Sequence, residues 1–341
     1  MITGIIVPKN YYLCAPLMKP YKFEPYLKTT IWGGDQIASF KGITTSLRHV
    51  GESWEISGVE GHDSVTVDRG LPLDADVGMP LSRLIWKYRG LLVGNRVYDR
   101  YGTRFPLLVK FIDSWQDLSL QVHPGDALAY RRHRCAGKSE MWYIIRSNPG
   151  SKVYVGLKEK ITPEQYMSLA TAPAVDGRSP LMDAVVTHEA HNGDVFYLPA
   201  GRVHAIGAGC FLAEIQQTSD ITYRIYDYDR VDAEGNRRQL HVKEAQEAID
   251  YEVYPDYRLS YDTEKPSTQL IDCPYFNVQR IVVQKSAQVD LHTDAFVIVM
   301  CIWGEANVNG VSVRRGETLL VPACENVLNV FGDATFLTAT M

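Results

Sequence analysis

Short apolar runs separated by Gly, Asn, Asp and Pro recur along most of the chain. Many alternate with a period of two, and the others are apolar throughout, as in strands buried on one or both faces. They occupy residues 106–113, 140–146, 152–157, 194–198, 211–217, 276–284, 296–303, 306–308 and 318–321. Many short strands with turn signals between them predict a mainly β protein, built as a sandwich or a barrel.

Helix signals are few by comparison. Residues 81–100 have the pattern of one or two short helices, and residues 242–251 that of another. Thr162 followed by Pro163 is typical of a helix start, because Thr caps the first turn and Pro fits the first helical position. The stretch 256–267 is polar, weakly patterned and contains proline, so we place a domain boundary there.

Composition and charge narrow the classes of partner. The 341 residues are 45% apolar, which allows one large or two ordinary domains with a sizeable core. A net charge of −5 argues against nucleic acid or an anionic membrane as the main partner, although a small anionic substrate would need only clustered Lys and Arg. Six scattered cysteines without a CxxC pair indicate reduced thiols and a cytoplasmic protein.

Two short segments carry side chains suited to a metal. Gln121 and His123 are two residues apart on a predicted strand, so they point to the same face, and Val122 points away. Lys138 and Glu140 share a face for the same reason. Glu140 begins an apolar strand, where a carboxylate needs a partner to offset its burial.

The spacing around His204 is more specific. Gly193, five residues, Pro199, one residue, Gly201, two residues and His204 together form the second motif of the cupin barrel. A lone histidine is more often a satisfied core or surface residue than a ligand. The combination of this motif with the two preceding segments predicts a divalent-metal site inside a small β-barrel, formed by Gln121, His123, Glu140 and His204. The other histidines lie in polar loops or have no partner at a useful spacing: His49, His62, His133, His188, His191, His241 and His292.

From Met18 to its end, the chain resembles the type I phosphomannose isomerases (mannose-6-phosphate isomerases, class I) of the short bacterial form, in the cupin superfamily. The motifs that carry the resemblance are FEP at 23–25, TIWGG at 30–34, GESWE at 51–55, QVHP at 121–124, GKSEMWYI at 137–144, PAGRVHAIG at 199–207 and EIQQTSDITYRIYDYDR at 214–230. Since family members usually begin near Met18, residues 1–17 are interpreted as an N-terminal extension.

The resemblance implies two cupin-like β-barrels (jelly rolls) with a few short helices. We expect a metal-binding catalytic domain at 18–260 with short helical insertions, and a degenerate barrel at 268–341. In the second barrel Gly316 and Pro322 repeat the motif spacing, but Cys324 replaces the turn glycine and Val327 stands where histidine would be. With His292 alone, this barrel is expected to hold no metal.

The resemblance also implies one Zn²⁺ per chain, bound by Gln121, His123, Glu140 and His204. These nitrogen and oxygen ligands would also accept Mn²⁺, Fe²⁺ or Co²⁺, so the choice of zinc depends on the family alone. The implied reaction interconverts mannose 6-phosphate and fructose 6-phosphate by proton transfer between C1 and C2 through an enediol or enediolate.

That chemistry needs proton-transfer groups and a cationic pocket for phosphate. Candidates for proton transfer are Lys138, Glu214, Asp220 and the surroundings of His204, and the sequence does not decide among them. Arg224 matches the arginine that the family treats as catalytic. Ser119, Lys110, Asp220, Arg224 and Arg230 are the candidates for substrate and phosphate binding, with a salt-bridged or solvated cation as the alternative for Lys110 and Arg230.

Two other functions remain open at this point. One is a cupin metalloenzyme of another kind, acting on a different phosphosugar or as an oxygenase. Oxygenase cupins favour a histidine-rich ligand set, and Gln121 argues against that. The other is a non-catalytic sugar-binding cupin, against which the retention of Lys138, Glu214 and Arg224 argues. The sequence leaves the choice between monomer and homodimer open.

Overall fold

The computed structural model describes residues 18–341 except 73, 176, 233 and 292. The predicted extension at 1–17 and the expectation for His292 therefore lie outside the described residues. Antiparallel sheets dominate this part of the chain, as the apolar runs predict. None of its helices has the length and apolar character needed to cross a membrane. The cysteines within it form no disulfide: Cys135, Cys210, Cys273, Cys301 and Cys324.

The first sheet has seven strands and forms one wall of the functional site. Its spatial order is β1 (Tyr26–Gly34), β2 (Val50–Ile56), β5 (Leu107–Ser114), β12 (Cys210–Gln217), β7 (Glu140–Ser147), β10 (Val195–Leu198) and β14 (Arg258–Leu259). Strands β2, β5 and β12 are buried along their whole length. Charged residues on these strands are therefore enclosed and must find partners inside the protein.

The second sheet has five shorter strands and forms the opposite wall. Its order is β13 (Tyr223–Tyr226), β6 (Leu120–Val122), β11 (His204–Ile206), β8 (Lys152–Leu157) and β9 (Val185–Glu189). Arg224 pairs directly with Gln121, and Gln121 pairs directly with His204. Three predicted site residues therefore lie in one row across this sheet.

The third sheet contains the C-terminal strands. These are β15 (Ser267–Asp272), β16 (Asn277–Val283), β21 (Val327–Thr340), β18 (Val297–Val308) and β19 (Val311–Arg314), with β17 (Ser286–Asp290) on β21 and β20 (Thr318–Val321) on β18. The chain passes from the first sheet to the third between β14 and β15, within the stretch where the sequence places the domain boundary. A two-stranded ribbon completes the strands: β3 (Gly58–Val59) and β4 (His62–Asp63).

The helices are short and lie between the strands. They are α1 (Gln36–Lys41), α2 (Leu81–Tyr88), α3 (Gly90–Val93), α4 (Asn95–Tyr101), α5 (Asp126–His133), α6 (Pro163–Thr171) and α7 (Val242–Ala248), with a 3₁₀ turn at Pro180–Ala184. Helix α6 begins as predicted, because Thr162 accepts the backbone N–H of Gln165 while the Gln165 side chain accepts the backbone N–H of Thr162.

One apolar cluster joins the first sheet to the third. Phe111 and Phe211 of the first sheet belong to the same buried cluster as Phe276, Phe296 and Leu337. A separate cluster fills the interior of the third sheet, and another packs the second sheet against α6 and α7. The C-terminal part therefore shares its core with the part that carries the predicted site.

Candidate metal centre and active-site pocket

His123, Glu140 and His204 come together at one point. His123 directly follows β6, Glu140 opens β7 and His204 opens β11, so three strands deliver one side chain each. The His123 Nε2 atom lies 3.4 Å from Glu140 Oε2, and His204 Nε2 lies 3.3 Å from Glu140 Oε1. One ligand atom from each residue falls within 4.8 Å of the others, and all three side chains are buried.

Both imidazoles present Nε2 to this cluster. The Nδ1 atom of His123 lies 3.0 Å from the carbonyl of Ile221, and that of His204 lies 2.8 Å from the carbonyl of Arg202. A carbonyl only accepts hydrogen bonds, so Nδ1 carries the proton and Nε2 keeps its lone pair. Burial and the Lys138 charge lower the pKa of His123 to about 3, and burial lowers the pKa of His204. Both rings are therefore uncharged at neutral pH, and each can offer its Nε2 lone pair to a metal ion.

Glu140 supplies the observation that tests whether a cation fits. Its side chain is fully buried, and among the described residues its carboxylate is contacted by the Lys138 ammonium and the two imidazoles, but no backbone N–H or hydroxyl donates to it. Burial alone would raise its pKa, but Lys138, whose Nζ lies 3.0 Å from Oε2, and the two imidazoles hold that pKa well below its usual range. A buried, ionised carboxylate between two imidazole lone pairs is suited to a metal cation.

Gln121 lies beside this cluster as the fourth predicted ligand. It pairs across the sheet with His204, and its Nε2 lies 3.3 Å from His204 Nε2. Rotation of the amide by half a turn exchanges its oxygen and nitrogen, which are assigned only from hydrogen bonding. In that orientation the amide oxygen faces the same point as the imidazoles.

Two glycine turns explain how the chain brings His204 to the cluster. Gly193 and Gly201 flank strand β10 with φ angles of +89° and +94°, which residues with a Cβ rarely adopt. The Gly201 N–H donates to the carbonyl of His123. The spacing noted in the sequence therefore corresponds to a strand between two glycine turns, with the second turn tied to the other histidine.

His123, Glu140 and His204, the candidate metal ligands, are called the metal cluster below. A cavity of about 840 Å³ opens next to this cluster and is lined by residues of both sheets. Seven of the residues predicted from sequence line it: Lys110, Ser119, Gln121, Lys138, Glu214, Asp220 and Arg224. The cavity is rich in charged groups of both signs, which suits a small, polar and charged ligand better than an apolar one.

Lys110 lies between two carboxylates in this cavity. Its Nζ lies 3.2 Å from Glu52 Oε2 and 3.1 Å from Glu214 Oε1. Glu214 also accepts a hydrogen bond of 3.0 Å from Trp142 Nε1. Burial alone would lower the pKa of Lys110, but Glu214 and Glu52 raise it above its ordinary value. The Lys110 charge is therefore already balanced from inside the protein.

Arg224 is partly buried in the cavity wall. Its Nη1 donates to the carbonyl of Gln239, while its Nε is buried and forms no hydrogen bond within the described part of the chain. Burial and the nearby Arg238 lower the pKa of Arg224 from its ordinary value. Its guanidinium therefore retains hydrogen-bonding capacity and lies one strand from the metal cluster.

Arg230, another candidate for phosphate binding, does not line the cavity. Its Nη2 donates to Asp227 Oδ1 at 2.5 Å, and its Nη1 donates to the carbonyl of Asp117 at 2.5 Å. These contacts match the alternative given for Arg230 in the sequence analysis, in which it is a salt-bridged cation and not a phosphate ligand. A phosphate role for Arg230 gains no support from the geometry.

Several residues of the cavity are absent from the set predicted from the sequence. Glu52 lies in the GESWE motif. The presence of two glutamates in one buried strand is a signal that could have marked it as a residue of the site. Burial alone would raise its pKa, but Lys110 and Lys28 lower it to about 2. His49 and His241, which the sequence spacing sets aside, also line the cavity. Arg238 comes from an irregular segment whose position no periodicity could predict.

Comparison with known proteins decides the family. The mannose-6-phosphate isomerase ManA of Bacillus subtilis is 36% identical to the chain over 312 residues, which cover 89% of this chain and 93% of that protein. The chain belongs to the mannose-6-phosphate isomerase family. A mannose-6-phosphate isomerase of Streptococcus mutans is 29% identical over 315 residues, covering 90% and 93%. No protein-family model matches the chain.

Solved structures of mannose-6-phosphate isomerases share the fold. The crystal structure of the enzyme from Bacillus subtilis superposes with a TM-score of 0.83 at 26% identity, covering 95% of this chain and all of that one. A point mutant of phosphomannose isomerase from Salmonella typhimurium superposes with a TM-score of 0.76 at 14% identity, covering 94% and 99%. These relatives have a cupin fold, which confirms the predicted mainly β cupin architecture.

Proposed function

We propose that this protein interconverts mannose 6-phosphate and fructose 6-phosphate. The observation that carries the proposal is the buried His123, Glu140 and His204 cluster at the edge of a charged cavity, in a chain of the mannose-6-phosphate isomerase family. The cavity is large enough for a hexose phosphate and combines cationic groups with carboxylates. An aldose–ketose isomerase needs both kinds of group, for the phosphate and for proton transfer.

The resident metal is proposed to be Zn²⁺. His123, Glu140, His204 and Gln121 would hold it through two imidazoles, one carboxylate and one amide oxygen, a set that suits zinc and leaves room for a further ligand. When bound, the ion supplies a Lewis acid for the sugar carbonyl and for negative charge on oxygen. The Ile221 and Arg202 carbonyls fix both imidazoles in the tautomer that this set requires.

Glu214 is proposed to carry the proton between C2 and C1. Its carboxylate lines the cavity, with one oxygen held by Trp142 Nε1 and the other facing Lys110. The Glu214 carboxylate can remove a proton from C2 of the aldose and return it to C1. Lys138 lines the same cavity and can donate a hydrogen bond to a sugar oxygen.

Arg224 is proposed to stabilise negative charge on the enediolate. Its position directly opposite Gln121 in the sheet places a permanent positive charge close to the metal cluster. Ser119 is proposed to hydrogen-bond the substrate, because its buried hydroxyl lines the cavity two residues before Gln121. The sequence assigned phosphate binding to Lys110, but its two carboxylate partners favour a role beside Glu214 instead.

A coupled assay of purified protein tests the function. Metal-replete protein is expected to convert mannose 6-phosphate to fructose 6-phosphate, and Glu214→Gln is expected to retain metal and lose most of kcat. Arg224→Ala is expected to behave in the same way, since neither residue is a metal ligand. Absence of turnover in metal-replete wild-type protein would reject the isomerase function, and normal turnover in both variants would reject the assigned roles.

A further inference from the structure

Asp227 is a buried carboxylate shared by two arginines. Its Oδ1 accepts hydrogen bonds from Arg230 Nη2 and Arg238 Nη2, each at 2.5 Å, and its Oδ2 accepts one from Arg238 Nε at 2.7 Å. Burial alone would raise the pKa of Asp227, but hydrogen bonds from Arg238 and Arg230 lower it. The contact with Arg238 is bidentate, so it fixes the plane of that guanidinium as well as its position.

The two arginines differ in where they lie. Arg230 also donates to the carbonyl of Asp117, two residues before Ser119, and it does not line the cavity. Arg238 does line the cavity, and among the described residues its Nη1 forms no hydrogen bond. Through Arg230, Asp227 connects two segments of the chain. Through Arg238, it holds a guanidinium at the cavity.

Arg238 lies close to a second cavity arginine. Arg224 Nη1 donates to the carbonyl of Gln239, the residue next to Arg238, and both arginines line the cavity, so their charges are near enough to oppose each other. Arg230 and Arg238 share the single carboxylate of Asp227, and Arg224 has no carboxylate partner among the described residues, so the direct ion pairs of this cluster leave a surplus of positive charge. Asp232 and Glu234 also line the cavity, but neither forms an ion pair with these arginines within the described residues. A dianionic phosphate group would complement this surplus.

We propose that Asp227 is a positioning residue that holds Arg238 in the cavity wall beside Arg224, where Arg238 binds the phosphate group of the substrate. The proposal rests on the proposed isomerase function and names a phosphate ligand that the sequence did not identify. Without Asp227, the repulsion from Arg224 would favour a position of Arg238 further out in the solvent. Asp227 itself does not touch the substrate.

Asp227→Asn tests this proposal against a purely structural role. The variant keeps the shape of the side chain but removes the charge that holds Arg238. The KM for mannose 6-phosphate is expected to rise about tenfold, or about 1.4 kcal/mol, while kcat stays within about twofold and bound metal is unchanged. Arg238→Gln is expected to give the same pattern from a partly exposed position, which guards against loss of folding in the first variant.

Asp229→Asn is the matched control. Asp229 lies two residues away and pairs with Arg237 on the surface, outside the cavity. This variant is expected to keep the wild-type KM and kcat. A loss of kcat or metal in Asp227→Asn without a rise in KM would show a structural role and overturn the proposal, as would an equal rise in KM in Asp229→Asn.

Inhibition by inorganic phosphate separates this proposal from the isomerase function. Its inhibition constant is expected to rise about tenfold in Asp227→Asn and in Arg238→Gln, and no further in the double variant, because both changes remove one interaction. Additive losses in the double variant would overturn the proposal. If wild-type protein does not turn over mannose 6-phosphate, the isomerase function fails, and calorimetric binding of inorganic phosphate to the same variants still tests the anion site.

Discussion

At the scale of single residues, the contacts that hold each buried group give the metal cluster its chemistry. His123 and His204 donate their Nδ1 protons to backbone carbonyls, and among the described residues Glu140 is contacted by Lys138 and the imidazoles but receives no hydrogen bond from a backbone N–H or a hydroxyl. Each group is therefore held in the protonation state in which it can donate electrons to a cation. The same arrangement makes the metal-free protein sensitive to acid.

The pH dependence of stability follows from His123. Its pKa is about 6.5 in an unfolded chain and about 3 in the folded protein. Between these values the unfolded state binds more protons, so the metal-free protein loses stability as pH falls below about 6.5. The loss through this group is up to about 1.4 kcal/mol per pH unit. Urea midpoints of chelator-treated protein at pH 7, 6 and 5 measure it.

His123→Gln is the comparison for that measurement. Glutamine does not titrate in this range, so the decline between pH 7 and pH 5 is expected to be smaller in the variant, with the remainder due to His204 and other groups. Parallel declines in the two proteins, or a wild-type midpoint that does not fall, would contradict the assignment of a buried neutral imidazole at His123.

The sequence predicts most of the residues that come together at the candidate site because ligand spacing on strands is local. Gln121 and His123 share a face through the two-residue period, and the glycine turns around β10 fix the path to His204. Arg238 could not be identified in this way. Its place depends on an ion pair with Asp227 eleven residues away, across an irregular segment that has no period to follow.

At the scale of elements, apolar strands were predicted well, and two short helices without a clear apolar pattern were not. Strand β8 has the predicted bounds, and β5, β7, β10 and β12 shift by about one residue at their ends. Helix α5, which contains DALAYRRH, was missed because it has no regular apolar stripe. Helix α1 spans only six residues, too few to establish a helical period.

Strand β18 shows how a bulge can imitate a turn. The sequence predicts two strands separated near Gly304, but the structure has one strand of 12 residues. Its register shifts between Cys301 and Trp303, and Gly304 has a φ of +75°. A bulge within one strand and a turn between two strands can both contain glycine, so the sequence pattern is the same for both. The continuous pairing with β21 distinguishes them.

Gly201→Ala tests the turn that delivers His204. Alanine at this position would have to adopt a φ of +94°, and its Cβ would lie 3.0 Å from the Ala248 carbonyl oxygen. We expect a loss of about 1–3 kcal/mol in unfolding free energy together with weaker metal binding, measured by urea denaturation and metal titration. Gly150→Ala, at a similar φ with open space around it, should lose stability without losing metal affinity. Equal metal affinity in both variants would contradict this role for the turn.

At the scale of the whole molecule, a buried ion pair connects the C-terminal sheet to the first. Lys41, at the end of α1, lies 2.7 Å from Glu55 of β2 and also donates to the carbonyl of Gly316, which precedes β20. A Cβ on Gly316 would lie 2.8 Å from the Lys41 Cα. This contact and the shared apolar cluster tie the third sheet, which is predicted to bind no metal, to the wall of the cavity.

Removal of Lys41 should therefore destabilise the protein strongly. Lys41→Met leaves the Glu55 charge buried and unpaired, and we expect a loss of about 3–5 kcal/mol in unfolding free energy, measured by urea denaturation. Lys160→Met is the control, because its pair with Glu252 is exposed, and its midpoint should match that of wild type. A small loss for Lys41→Met, similar to that of the control, would show that the pair does not stabilise the packing of the sheets.

The metal cluster is the central element of this account, and metal stoichiometry measured together with turnover tests it most directly. Chelator-treated protein titrated with Zn²⁺ should regain mannose 6-phosphate isomerase activity in proportion to bound metal and saturate at one ion per chain. His204→Ala should bind no stoichiometric metal and show no turnover at any Zn²⁺ concentration tested. Full activity in metal-free protein, or wild-type activity in His204→Ala, would contradict the account.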